Sequence, residues 1–326
     1  MNNQEISVLT NPLPIGRYFV SEITRSFYRS TKHKLIKRNF FNHPYFRGHF
    51  AVTRSLVEGF AKIGVNSNYN PTQLSELAKI VIVLAGVRTL RQAIKLKQSG
   101  KIQKLFAGPN IVNFSTDYNS IIASPEIDAV IVPCNWVLEH YVQDNPLLKE
   151  RIFSWPTGVD TFFWSPDPSM MSDEILIFEK QGVGPIDSIV PYATYLQRLG
   201  WKINILRYGE FDHQDYCELL KKSCLMLGFV HVESQGIAWA EAWSANVPTL
   251  LWRNNQYLLN SRILNVSTAP YLCDQNGLFF NDFEHFKKQF FYWQNHRDQF
   301  RPREWTLGNM SDESCARQIY KKVISC

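Results

Sequence analysis

Twice along this chain, short apolar runs alternate with stretches whose apolar residues recur every three or four positions, and a Pro/Gly break parts the two series. Few architectures remain open to such a chain, because strands joined through helices run parallel and need both sheet faces covered. In the first series, residues 78–85, 102–107 and 129–133 read as strands. Helices are expected over 51–60, up to about Gly100, and over 136–142, with a short strand near 152–155. Part of residues 1–45, the least patterned stretch, is expected to supply one more strand to this sheet. The break is Pro156-Thr157-Gly158-Val159-Asp160, with Pro166 and Pro168 beyond it. The second series reads strand 175–178, helix 188–199, strand 202–207, helix 212–222, strand 225–230, a helix through Ala245 and strand 249–252. Two further helices are expected over 283–293 and 311–324, with Pro302-Arg303-Glu304-Trp305 connecting them.

A length of 326 residues, 45% of them hydrophobic, suits two compact domains, expected at 1–158 and 159–326. The longest clear apolar run, 80–85, is far too short to cross a bilayer. The first residues lack the basic start and apolar stretch of a secretory signal, so a cytoplasmic location is expected. Six cysteines are scattered without a C-x-x-C pair, which argues against a zinc site and a disulfide scaffold and for reduced packing residues.

Charge is unevenly spread. Residues 1–110 carry 17 Lys and Arg against 4 Asp and Glu, whereas the remainder carries 18 against 25. One end is thus suited to a polyanion, whether lipid headgroups, a charged glycan or nucleic acid. Arg88, Arg91, Lys95, Lys97, Lys101 and Lys104 form a cluster without an acid, and helical spacing puts the first three along one face. That face reads equally as a solvated surface or as peripheral contact with an anionic membrane. Nucleic acid is not expected as a partner, since no recognition motif is present and only 37–50 interleaves basic with aromatic residues.

The most informative stretch is His231-Val232-Glu233-Ser234-Gln235-Gly236-Ile237-Ala238-Trp239-Ala240-Glu241-Ala242-Trp243-Ser244-Ala245-Asn246-Val247-Pro248. It follows an apolar strand and opens a helix, so Glu233 to Gly236 are expected at the carboxyl edge of the second sheet, where open α/β sheets bind ligands. A helix starting near Gly236 offers its free backbone N–H groups to an anion, and glycine lets that anion approach closely. Glu233, just before the helix, can accept from sugar hydroxyls, and Glu241, just over a turn inside it, from a ribose diol. Asn246 is expected to close the helix in the left-handed conformation. The bland reading is an amphipathic helix capped by Ser234 with two exposed glutamates.

Strand, Glu-Ser-x-Gly, second Glu and Val-Pro-strand together resemble the family 4 glycosyltransferases, retaining enzymes whose signature is Glu, seven residues and Glu. Thr157-Gly158-Val159-Asp160 with Phe163 and Pro166 is similar to that family's hinge segment, and the likeness covers 152–252. It implies the GT-B fold, α/β, with two Rossmann-like domains facing each other across a cleft, the last helix, about 311–325, packing back on the first domain or simply capping the second. It implies a nucleotide-sugar donor, UDP- or GDP-linked, as substrate, a glycan or lipid-linked acceptor, and neither cofactor nor metal. By resemblance Glu233 contacts the donor sugar and is catalytic, Glu241 binds the ribose, and Ser234, Gln235, Gly236 and Ile237 hold the distal phosphate. Lys180, then Arg207, are the candidate phosphate cations. Gly48 corresponds to the family's Gly-rich loop near the donor, and His49 is a second catalytic candidate or a packing histidine.

The sequence departs from the family at Gln235, where Phe is usual, at 243–246, and in having one cation after the first strand of the second domain where the family has two. Four functions stay open: retaining transferase in polysaccharide or cell-envelope synthesis, another enzyme on the same fold (an inverting transferase with His49 as base, or a sugar-nucleotide epimerase), a degenerate GT-B protein that binds nucleotide or glycan without transfer, and, ranked lowest, a nucleic-acid binder built on the basic first third.

Overall fold

A computed structural model of the chain describes residues 5–21, 24, 48–169, 173–180 and 189–325. By packing it divides into two units, one running to Gly158 and resuming at Cys315, the other spanning Val159–Ser314.

The first unit is built on β1 (Ile6–Leu9), β2 (Ser67–Tyr69), β3 (Ile80–Ala85), β4 (Lys104–Asn110), β5 (Ala129–Val132) and β6 (Ile152–Ser154). These make one parallel sheet in the order β2-β1-β3-β4-β5-β6, so β1 is the strand expected early in the chain and pairs Ile6 with Ile80. Val81 to Leu84 are fully buried, as strands covered on both faces require. On one face α1 (His49–Lys62) sets Val52, Leu56 and Phe60 against Val8, Ile82, Phe106 and Ile131. Ordinary burial of each such side chain contributes about 1.5–3 kcal/mol. The C-terminal helix (Asp312–Ser325) adds Cys315, Ala316, Ile319 and Val323 to this cluster, and Trp155 Nε1 donates to Cys315 O at 2.9 Å. Two further helices, α2 (Val87–Gln98) and α3 (Asn135–Asp144), follow β3 and β5. Gln92 of α2 is buried and bonds both Leu13 N (2.6 Å) and Leu13 O (2.9 Å), which fastens the loop after β1 to this helix.

The second unit contains β7 (Glu174–Glu179), α4 (Val190–Arg198), β8 (Lys202–Arg207), α5 (His213–Lys222), β9 (Ser223–Phe229), α6 (Ile237–Ser244) and β10 (Thr249–Trp252). A hairpin of β11 (Gln256–Leu259) and β12 (Arg262–Asn265) then leads to β13 (Gly277–Phe280), α7 (Phe283–Asn295) and α8 (Pro302–Asn309). The five-stranded parallel sheet has the order β13-β10-β9-β7-β8. Pleating sends Leu176 and Phe178 toward Tyr216, Trp239 and Trp243, and Ile175 and Ile177 toward Tyr192, Phe286 and Phe290.

One expectation needs correction, and one element was not expected. The stretch from Pro302 to Trp305 is not a connection but the start of α8, proline being well suited to a first helical turn. The hairpin at 256–265 went unforeseen because its two-residue turn is Asn260-Ser261, with φ 49° and 63°, where the recognisable signal is Asn-Gly. The basic run 32–38, most of 37–50 and the first residue of the helix expected from 188 lie outside the described residues. Among the described residues no helix is long and apolar enough to cross a membrane.

Candidate active site

In each sheet the chain reverses its direction of growth once, and the crevice beyond the carboxyl ends of the two strands at that point is where such sheets take ligands. In the second unit the two strands are β7 and β9. They stay paired to their ends, since Lys180 N donates to Phe229 O at 3.1 Å, and β8 joins them through Tyr208 N to Glu179 O at 2.8 Å. The loop leaving β9 is pinned at both ends. Asn254 Nδ2 donates to His231 O at 2.9 Å, Glu233 N donates to Ser267 O at 2.9 Å, and the His231 ring packs between Trp252 and Tyr257. Burial pushes the His231 imidazole below its ordinary pKa.

On this frame the Glu233 carboxylate meets the Lys180 ammonium, with Oε1 and Nζ 2.6 Å apart, and the ammonium also lies 5.1 Å from the centre of the Tyr208 ring. Gly236 caps α6 with φ 66° and ψ 39°, and a Cβ there would come within 2.8 Å of Trp239 Cδ1. Glycine is thus required on two counts. The helix has no side-chain cap and no acid in its first turn, so the Ser234 cap of the bland reading is not made. Its opening backbone N–H groups and its positive dipole end face the same loop that carries Glu233. Asn246 closes the helix at φ 63°, the left-handed conformation expected of it.

Glu233, Ser234, Gln235, Gly236, Ile237 and Lys180 therefore fall on one loop, one helix start and the end of the adjacent strand. Glu241 lies a turn further along α6 and is only 7% exposed. Burial first, then the Glu241 charge, holds the Tyr216 hydroxyl well above its ordinary pKa, and that hydroxyl donates to Ala238 O at 2.7 Å. Arg207 stands at the end of β8, one strand over, and its Nε is 3.0 Å from Glu179 Oε2. Gly48 and His49 belong to the other unit: Gly48 precedes α1 with φ 54°, and His49 is its first, exposed residue. Sequence reasoning missed Tyr208 as the ring beside Lys180, Ser267 as the carbonyl holding Glu233, and Glu179 as the partner of Arg207. The last was visible as an acid directly before Lys180. Among the described residues no group of three or more His, Cys, Asp and Glu is placed to hold a metal ion.

No family model matches the chain, and no curated protein does. Solved structures do. A sucrose-phosphate synthase from Thermosynechococcus elongatus is similar with a TM-score of 0.54 at 11% identity, over 99% of this chain and 100% of the other. A glycosyltransferase from Rickettsia africae gives 0.55 at 12%, over 99% of each chain. The lipopolysaccharide outer core galactosyltransferase WaaB, in its apo form, gives 0.55 at 11%, again over 99% of each. With its parallel sheets of six and five strands, the chain has the α/β fold of these structures, GT-B, made of two Rossmann-like units.

Proposed function

We propose that this chain is a glycosyltransferase that moves a sugar from a nucleotide-sugar donor, UDP- or GDP-linked, to a glycan or lipid-linked acceptor. The observation that carries it is the convergence of Lys180, Glu233 and the uncapped start of α6 beyond the carboxyl ends of β7 and β9. A donor diphosphate suits the helix start and Lys180, because both supply positive potential where the leaving group gains charge. Glu233 takes donor sugar hydroxyls and Glu241 the ribose, with Arg207 as the further cation. His49 is assigned a catalytic part and Gly48 a donor contact, the first unit as a whole being the acceptor-binding one.

The proposed step retains anomeric configuration. The acceptor oxygen bonds to the anomeric carbon, the bond from that carbon to the distal phosphate oxygen breaks, and the acceptor proton passes to the departing phosphate. A nucleoside diphosphate leaves. The reading places this chemistry in the cytoplasm, in polysaccharide or cell-envelope synthesis, without a metal.

A second reading is a degenerate GT-B protein that binds nucleotide or glycan without transfer. It is favoured by the ion pairing of both candidate cations, Lys180 with Glu233 and Arg207 with Glu179. Thermal stabilisation by UDP, GDP or ADP and their sugar conjugates, with Glu241→Ala as control, tests the shared part, since a ligand of the folded state alone raises its stability. Stabilisation by one nucleotide that the variant loses supports a donor site. Sugar release or transfer from that donor, abolished in Glu233→Ala with nucleotide binding kept, then separates enzyme from binder. Silence across the panel removes the transferase reading.

A further inference from the structure

The first unit has its own reversal point, between β1 and β3, and the loops leaving those two strands bring an arginine cluster together. Arg17, on the loop after β1, donates from Nη2 to Tyr18 Oη at 2.8 Å and lies 4.9 Å from the centre of that ring. Arg88, on the first turn of α2 directly after β3, lies 5.6 Å from the same ring. Arg91, one turn on, lies 5.9 Å from the Tyr118 ring. All three arginines are exposed, and among the described residues none of them is ion-paired with a carboxylate. The neighbouring acid, Asp117, instead accepts from the backbone N–H groups of Asn113 (3.0 Å) and Phe114 (2.9 Å). The rest of the cluster seen in the sequence is partly spent: Lys97 bonds Asp128, and Lys104 donates to Ile324 O at 3.1 Å.

A second feature stands beside the first. Tyr118, Asn119 and Ser120 occupy the left-handed region in succession, with φ 52°, 59° and 53°. Residues other than glycine visit it at a cost and ordinarily singly, so three in a row mark a segment held against its preference. The turn leaves Tyr118 59% exposed with Arg91 against its ring. An exposed aromatic face suits the C–H side of a pyranose, and guanidinium groups not ion-paired with a carboxylate suit an added carboxylate or phosphate, which they bind through paired N–H donors.

We propose that Arg17, Arg88, Arg91 and Tyr118 form a subsite for an anionic saccharide, a sugar bearing a carboxylate or a phosphate, and that this is the acceptor of the reaction proposed above. The inference rests on that reading for the word acceptor, but not for the binding itself. A flat membrane surface is the less suitable occupant, because the cluster lies at the reversal point of a sheet and includes an aromatic ring presented singly.

The test is calorimetric titration of the full chain with trigalacturonate, with glucose 6-phosphate and with neutral maltotriose, using wild type, Arg88→Gln/Arg91→Gln and Tyr118→Ala. These side chains are exposed, so the variants fold, and unchanged unfolding temperatures verify it. One or both anionic probes are expected to bind, the double variant weakening them at least about 10-fold, as loss of charge-assisted bonds implies, while maltotriose binds no better than at background. Which anionic probe binds tells carboxylate from phosphate. The proposal is overturned if neither anionic probe binds up to about 10 mM, if the double variant binds as wild type does, or if maltotriose binds equally. It is also overturned if vesicles of phosphatidylglycerol in phosphatidylcholine capture the protein through these arginines while the free saccharides do not. Nucleotide stabilisation, measured on the same double variant, is expected to be unchanged. Its presence with no saccharide binding removes the anionic acceptor alone, and its absence in wild type removes the transferase.

Discussion

Lys180 Nζ lies 2.6 Å from Glu233 Oε1, so the ammonium at the end of β7 is committed to the carboxylate on the loop after β9 before any ligand arrives. The two side chains are 32% and 22% exposed, which leaves the pair partly screened and able to exchange partners. A diphosphate at the start of α6 competes with Glu233 for this cation. Lys180→Gln is therefore expected to weaken UDP or GDP binding about 10–100-fold, the range for a lost charge-assisted bond, while a nucleoside without phosphates is unaffected. Glu233→Gln is expected to tighten the free diphosphate, because it removes the competing charge, and to abolish transfer. Calorimetry on both variants reads this, and a diphosphate affinity indifferent to Lys180 rules that residue out as a phosphate ligand.

Gly236, at the start of α6, leaves no room for a side chain. Alanine there must hold a φ near 66° and place its Cβ 2.8 Å from Trp239 Cδ1, while Trp239 is itself fixed by Nε1 donating to Thr268 O at 2.9 Å. Gly236→Ala is expected to cost about 1–3 kcal/mol of stability and to disturb the start of α6. Chemical denaturation measures the first effect and nucleotide stabilisation the second. A variant as stable as wild type shows that the left-handed cap is not needed.

The alternation of apolar runs with helical periods revealed the two parallel sheets, because the stretches of strand covered on both faces, such as 80–85 and 175–178, are wholly apolar. The Glu233 loop was legible for the same reason: an apolar strand, a glycine and an apolar helix in succession define the carboxyl edge of a sheet without any knowledge of its neighbours. Partners brought in by topology were not legible. Ser267 reaches Glu233 only because the hairpin after β10 returns the chain to the loop that leaves β9, and its Asn260-Ser261 turn lacks the glycine that announces such a turn. Tyr208 lies beside Lys180 because β8 is the neighbour of β7 in the sheet, and strand order is not written in local periodicity. The arginine cluster was visible as charge in α2, whereas Arg17 and Tyr118 joined it through loops with no pattern of their own.

Arg303 holds three backbone carbonyls at once. Its Nη1 donates to Trp164 O and Ser244 O and its Nη2 to Thr161 O, which ties the segment after the Pro/Gly break to the end of α6. Arg303→Met leaves three partly buried acceptors without this donor and is expected to cost about 2–4 kcal/mol. Arg303→Lys restores little, since a single ammonium does not reproduce the planar fork. Unfolding in urea distinguishes the two, and full recovery by lysine shows that charge alone suffices.

Ser55 presents the opposite case. It is fully buried on α1, and among the described residues its Oγ has no hydrogen-bond partner. A buried hydroxyl that has lost water without gaining a partner opposes folding, and alanine is the better helix former. Ser55→Ala is expected to stabilise the protein by about 0.5–1.5 kcal/mol. A loss of stability on the same scale shows that the hydroxyl is bonded in solution.

His231 makes stability depend on pH in a stated direction. Its ring packs against Trp252 and Tyr257 with centroids 5.8 and 5.9 Å away, and burial lowers its pKa in the folded protein. In the unfolded chain the ring titrates near about pH 6.5. Below that value the unfolded state binds a proton that the folded state resists, so the contribution of neutral His231 is fully present above about pH 6.5 and is lost as pH falls through the lower folded value. His231→Phe keeps the aromatic packing and removes the titration. Thermal midpoints at about pH 7.5, 6.5 and 5.5 are expected to fall less for the variant than for wild type, the carboxylates common to both titrating lower in the range. Parallel curves show that the ring is protonated equally well in both states. A divergence that appears together with loss of nucleotide stabilisation at the lower pH ties protonation of this ring to release of the loop that carries Glu233.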